Sequence, residues 1–171
     1  MATTKITSQQ FFRTLIIIHS VMALGLVAVI GIFYFVLPEV ETPEALAELS
    51  NVLYLVIPIF AIAGIALSYF VKHIRLRSAR QRENLTRKLP EYQTTMIIQS
   101  GILETLGMLT AMSYFLLSEP LFLALTAAIA IIMLRNMPTK NKAIQDLSLN
   151  QEEVDTINDP EAVVSIMETQ S

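Results

Sequence analysis

Apolar positions along the chain fall into four blocks separated by short polar segments. The first runs from Thr14 to Leu37, with His19, Ser20 and Tyr34 as its interior polar groups. The second covers Asn51 to Val71, with Pro58 and Ser68 inside it. The third, Thr95 to Leu117, is less pure and contains Gln99, Ser100, Glu104, Thr105, Thr110 and Ser113. The fourth, Leu121 to Leu134, is almost wholly apolar, and the Ser118-Glu119-Pro120 turn and Met133 to Asn136 extend it at both ends. A soluble helix carries one apolar stripe, whereas these blocks are apolar on nearly every side. Runs of about 18 or more apolar residues match a hydrocarbon layer roughly 30 Å thick at about 1.5 Å of rise per residue. The pattern therefore predicts an all-α, polytopic membrane protein: a bundle of four transmembrane helices at about 14–37, 51–71, 95–117 and 119–136, the alternative being three spans plus a re-entrant segment. The domain organisation expected is a transmembrane part, 1–137, and an acidic cytoplasmic tail, 138–171.

Charge placement orients the spans. Lysine and arginine concentrate on the cytoplasmic side of short loops. Lys5 and Arg13 precede the first span, seven basic residues lie between spans two and three, and Arg135, Lys140 and Lys142 follow the fourth. The other two loops carry Glu39, Glu41, Glu44, Glu48 and Glu119 and no basic residue. Both termini are thus expected in the cytoplasm, in a multi-pass protein of a bacterial inner membrane. Composition agrees: 53% of the 171 residues are apolar, 16% are charged, and mean hydropathy is +0.54. Reading the first block as a cleaved signal peptide, with Ala45-Leu46-Ala47 as the cleavage site, fits less well, because the apolar stretch is too long and the site lies beyond two prolines.

The polar segments carry their own signals. Lys72 to Leu89 lacks Gly and Pro, so the second helix is expected to continue into it. Pro90 is expected to stop that helix and open the next, with Glu91 near the new N-terminus. Lys140 to Leu149 reads as a short amphipathic helix with Ala143, Ile144 and Leu147 on one face. Asn150 with Glu153 reads as a capping box, and Asp159-Pro160-Glu161 as a further helix start. From Asp146 onward there are seven acidic residues and no basic ones. That tail is expected to be solvated, its sharper alternative being docking against the basic loop or a partner.

The absence of cysteine removes disulfides, thiolate catalysis and zinc–thiolate sites. There is no phosphate-binding glycine loop, HExxH or GxSxG. Topology and anionic lipid account for the basic loop without nucleic acid. His19 and His73 are not at matched depth, so haem is not expected, nor is any other cofactor, catalytic constellation or metal.

Glu104 is the residue that asks for a function. It stands about 11 residues into a helix entering from the cytoplasm, near mid-bilayer, where an ionised carboxylate costs several kcal/mol and usually faces protein or water. Ser100, Gly107 and Ala111, at i−4, i+3 and i+7, form a small-residue stripe on which another helix can pack. Two readings follow: a hydrogen-bonding group that glues helices together, or a proton- or ion-binding site. Gln99, Ser100 and His19 are its candidate partners, through a relay His19–Gln99–Glu104 or a helix–helix hydrogen bond.

A local resemblance bears on the choice. Ala79-Arg80-Gln81-Arg82-Glu83, then Gln93-Thr94-Thr95-Met96-Ile97-Ile98, then Leu103-Glu104, resembles the proteolipid subunit c of rotary F-type ATP synthases over about 30 of 171 residues. The resemblance implies a polar loop at Arg80 and Gln81 and a proton- or sodium-binding carboxylate at Glu104. Arg82 stands where that family has proline, its glycine ladder is missing, and spans one and four and the tail have no counterpart. It is similar in the same way to four-span bacterial proteins of the subunit c-like kind. The function expected is an accessory or structural subunit that binds other membrane proteins or its own copies. Ion handling through Glu104 is the alternative, and a small proton-coupled exporter the second. That exporter family carries its glutamate in the first span and usually has tryptophan, and this chain has neither.

Overall fold

In a computed structural model, residues 2–35 and 44–169 are described, with side chains described over 5–35 and 50–165. The element order is β1 (Ala2–Thr7), α1 (Ser8–Phe35), α2 (Glu44–Arg80), α3 (Leu85–Leu117), α4 (Pro120–Arg135), α5 (Lys140–Leu147), α6 (Gln151–Asn158) and β2 (Val163–Thr169). The chain is mostly helical, as its block pattern predicts. Three stretches are long and apolar enough to cross a membrane: Ser8–Phe35, Ser50–Arg80 and Leu85–Leu117. The fourth block forms α4, whose 16 residues span about 24 Å, less than the hydrocarbon thickness. Residues 39–43 of the Glu39–Glu48 loop lie outside the described residues, and from Glu44 onward its backbone is the start of α2.

The all-α expectation needs correction at the termini. β1 and β2 form an antiparallel pair running from Ala2↔Thr169 to Thr7↔Val163, with an irregularity between Ile6 and Thr7. Such pairing joins segments at opposite ends of the sequence, and so leaves no local periodicity to read. A second correction concerns Pro90. Helix α2 ends at Arg80, a four-residue break follows, and α3 starts at Leu85, so Pro90 lies inside α3 rather than at its first turn. Pro90 is the sixth residue of α3; with no N–H of its own, it leaves the Thr86 carbonyl without its usual i+4 donor.

The chain divides into two compact units, one of residues 1–19, 70–98 and 137–171, the other of 20–69 and 99–136. The first is built on Phe11, Phe12 and Leu15 of α1, Leu76 and Ala79 of α2, Leu89, Tyr92 and Met96 of α3, and Ala143, Leu147, Ile157 and Val164 from the C-terminal segment. That segment is therefore folded, not a solvated tail. Ser8 and Gln9 backbone amides donate to Ala162 and Pro160 carbonyls at 2.9 and 3.3 Å. Its local signals hold where they were strongest. The Asn150–Glu153 capping box forms, and Ala143 and Leu147 are the buried face of α5. The Asp159-Pro160-Glu161 start is overturned: a turn there leads into β2.

The second unit exposes large apolar side chains on its outside, among them Val21, Leu24, Val52, Leu55, Ile59 and Phe60. Inside it, Leu26, Leu103, Leu106, Ile129 and Met133 cluster, and a smaller cluster joins Ile57, Leu117 and Phe122. Glycines set the helix spacing. A Cβ on Gly107 of α3 would strike the side-chain end of Leu26 of α1, and one on Gly64 of α2 would strike Leu106. The Thr110 and Thr126 hydroxyls bond at 2.8 Å between α3 and α4. Ser118, at φ 54°, closes α3, and Pro120 opens α4.

Candidate functional site

Helix α3 carries Glu104 on the border between two faces. One side holds Ser100, Gly107 and Ala111, all buried; the other holds Ile97, Met108 and Met112, each at least a third exposed. At about 100° per residue these two sets lie on either side of the Glu104 position. Glu104 itself is half-buried. Its carboxylate makes no hydrogen bond or ion pair among the described residues, so none of its candidate partners is joined to it. The small-residue stripe is packed, as expected: Leu26 covers Gly107.

Gln99 is 1% exposed, and its Nε2 has no hydrogen-bond partner. Five residues separate it from Glu104, a turn of about 140° around the helix axis, which points the two side chains to different sides. Ser100 is 2% exposed, one helical turn from Glu104. His19 is buried in the first unit, whereas Gln99, Ser100 and Glu104 belong to the second. Arg80 and Gln81 belong to the first unit too. Arg80 closes α2 and donates from Nε to the Asp146 carbonyl at 2.7 Å. Gln81 is exposed in the break, its backbone N–H donating to the Ser78 carbonyl.

Docking of the acidic segment on the basic loop was one of two readings of the sequence, but the particular pairs of the first unit were not foreseen. Lys72 Nζ meets Asp146 at 3.1 Å, and Lys88 Nζ meets Glu153 at 2.7 Å. Lys140 Nζ donates to the Ile157 carbonyl at 3.0 Å. The acidic segment therefore docks on the basic one, the sharper alternative for the tail. Tyr92, which precedes the Thr95 start of the third apolar block, is fully buried with its hydroxyl unpartnered. Burial, and secondarily the Asp146 carboxylate, raises its pKa above the usual tyrosine value. On α3, Thr86, Pro90 and Thr94, with Arg87 and Glu91, recur at helical spacing and line an open groove with Arg75 and Arg82. That i, i+4 recurrence was the signal available in the sequence.

No group of three or more His, Asp or Glu side chains capable of holding a metal occurs among the described residues. No family model matches this chain, and no similar curated protein or solved structure was found.

Proposed function

We propose that this is a multi-pass membrane protein with both termini in the cytoplasm, acting as an accessory subunit that packs against another membrane protein or a second copy of itself. Helix α4, extended by the Ser118–Pro120 turn and Asn136, supplies the fourth crossing. The positive-inside distribution of all twelve basic residues supports the orientation. The exposed apolar side chains of α1 and α2 support immersion in lipid.

The observation that carries the packing role is Glu104: a half-buried carboxylate in an apolar helix, with no partner among the described residues, beside a surface of Ile97, Met108 and Met112. A polar group in a span is satisfied by protein or water. Here the complement comes from outside the chain. The same carboxylate carries a second reading, subunit c-like proton or ion handling, favoured by the absence of any hydrogen bond to it among the described residues.

The chain has no cysteine, which makes the test direct. A single cysteine at Met108 should crosslink to a neighbouring protein in native membranes, and one at the buried Ala111 should not. Equal behaviour at the two positions would end the packing reading. A cytoplasm-active reporter fused after Ser171 should be active, and one placed in the Glu41–Glu48 loop inactive; the reverse pattern would overturn the orientation.

A further inference from the structure

The groove on the first unit has a volume of about 560 Å³. Arg75 of α2, Arg82 of the interhelical break and Arg87 of α3 bring three guanidinium groups to it, with Thr86 and Thr94 hydroxyl side chains and one carboxylate, Glu91. Glu91 is shared between Arg82 at 2.9 Å and Arg75 at 3.6 Å. One acid against three bases leaves the groove with two uncompensated positive charges. Arg87 has no carboxylate partner among the described residues. Arg75 also keeps a buried Nε–H with no acceptor. A buried donor left unpaired is uncommon and asks for an acceptor that the described residues do not supply.

We infer that this groove binds the phosphate group of an anionic phospholipid. Guanidinium forks match the paired oxygens of a phosphate diester two at a time, so several arginines around one concavity favour such an oxyanion over a lone halide. Lipid is favoured over free phosphate by what lies one turn further along the same two helices. There the second apolar block ends at Val71 on α2, and the third begins with Ile97 and Ile98 near its start on α3. A headgroup held by the arginines leaves its acyl chains running along those residues. The inference rests on the membrane placement proposed above, and on that orientation the lipid belongs to the cytoplasmic leaflet, where basic pockets beside spans hold anionic headgroups.

Purified full-length protein, exchanged into bilayer discs of phosphatidylcholine doped with phosphatidylglycerol, should retain phosphatidylglycerol when examined by native mass spectrometry. Arg75→Gln with Arg87→Gln should cut that retention at least fivefold. Arg77→Gln, an exposed arginine on α2 outside the groove, should leave it unchanged. Glu91→Gln removes the competing carboxylate and should raise retention, a gain that misfolding cannot imitate. Equal loss in the Arg77 variant, no gain with Glu91→Gln, or displacement of the lipid by millimolar inorganic phosphate would each overturn the lipid assignment. Failure to insert into discs at all would instead refute the membrane placement.

Discussion

Lys88 and Glu153 are 65 residues apart in sequence, yet the Lys88 Nζ lies 2.7 and 2.9 Å from the two carboxylate oxygens of Glu153. Their side chains are only 11% and 12% exposed. Glu153 also accepts from the Asn150 backbone N–H in the capping box, so this carboxylate fastens α6 both to its own start and to α3. Removing one partner of a nearly buried pair strands the other charge, at a cost of about 3 kcal/mol. Lys88→Met should therefore destabilise the α6 region by roughly that amount, and the Lys88→Met, Glu153→Gln pair by clearly less than the sum of the single variants. Hydrogen exchange at the 151–158 amides reads this directly. Additive effects would mean that the two groups do not interact.

Tyr92 makes a prediction of opposite sign. Its buried hydroxyl has no partner, so Tyr92→Phe deletes an unsatisfied polar group and should leave stability unchanged or raise it by about 1 kcal/mol. The pH dependence follows from the raised tyrosine pKa. Below the usual value of 10.0, folded and unfolded chains both hold the proton. Above it the unfolded chain gives the proton up first, so stability falls as pH rises. Unfolding of the wild-type protein should steepen above about pH 10 in its dependence on pH, and Tyr92→Phe should flatten that limb. Superimposable alkaline curves would show that the hydroxyl is solvated.

The C-terminal segment contributes Ala143, Leu147, Ile157 and Val164 to the same core as Phe11, Leu76 and Leu89. Truncating Ser148 to Ser171 removes Ile157 and Val164 and exposes that core, so the truncated chain should be recovered in lower yield and be cut rapidly by protease. Ile157→Ala is the milder version, expected to cost about 2–4 kcal/mol. A truncated protein of normal yield and protease resistance would return the segment to a solvated role.

Some of this organisation was legible in the chain and some was not, for identifiable reasons. The apolar blocks predicted α1 to α3, because lipid-scale helices need only composition and length. Asn150 with Glu153 announced α6, because a capping box is a contact between neighbours in sequence. Lys88 with Glu153, Lys72 with Asp146, and the β1–β2 pairing were invisible, since each joins distant segments through pairing that leaves no periodicity. Pro90 misled because proline is common in a helix's first turn, whereas here Leu85 had already begun the helix. Glu104 was legible as a singular residue in its block. Its position on the border of a packed and an exposed face emerged only when Gly107 was found covered by Leu26 and Met108 was not covered.

Glu104 separates the two functional readings through two substitutions. Glutamine keeps the shape and hydrogen-bonding capacity of the side chain and removes its exchangeable acid proton; leucine removes both. If the carboxyl only packs against a neighbouring protein, Glu104→Gln should preserve crosslinking from a cysteine at Met108. Glu104→Leu should weaken association by about 1 kcal/mol, the usual worth of an interhelical hydrogen bond in a membrane. If the carboxyl carries protons or ions, wild-type protein should react with a hydrophobic carbodiimide at Glu104 in a pH-dependent way. Glu104→Gln should then fold and crosslink normally, yet lose both that labelling and any associated proton flux in vesicles. Peptide mapping by mass spectrometry locates the label, and no other carboxylate occurs between Thr95 and Ser118. Absence of labelling, together with normal flux and growth in the Gln variant, would eliminate ion handling and leave packing. Labelling with unchanged crosslinking in the Leu variant would eliminate packing through this side chain.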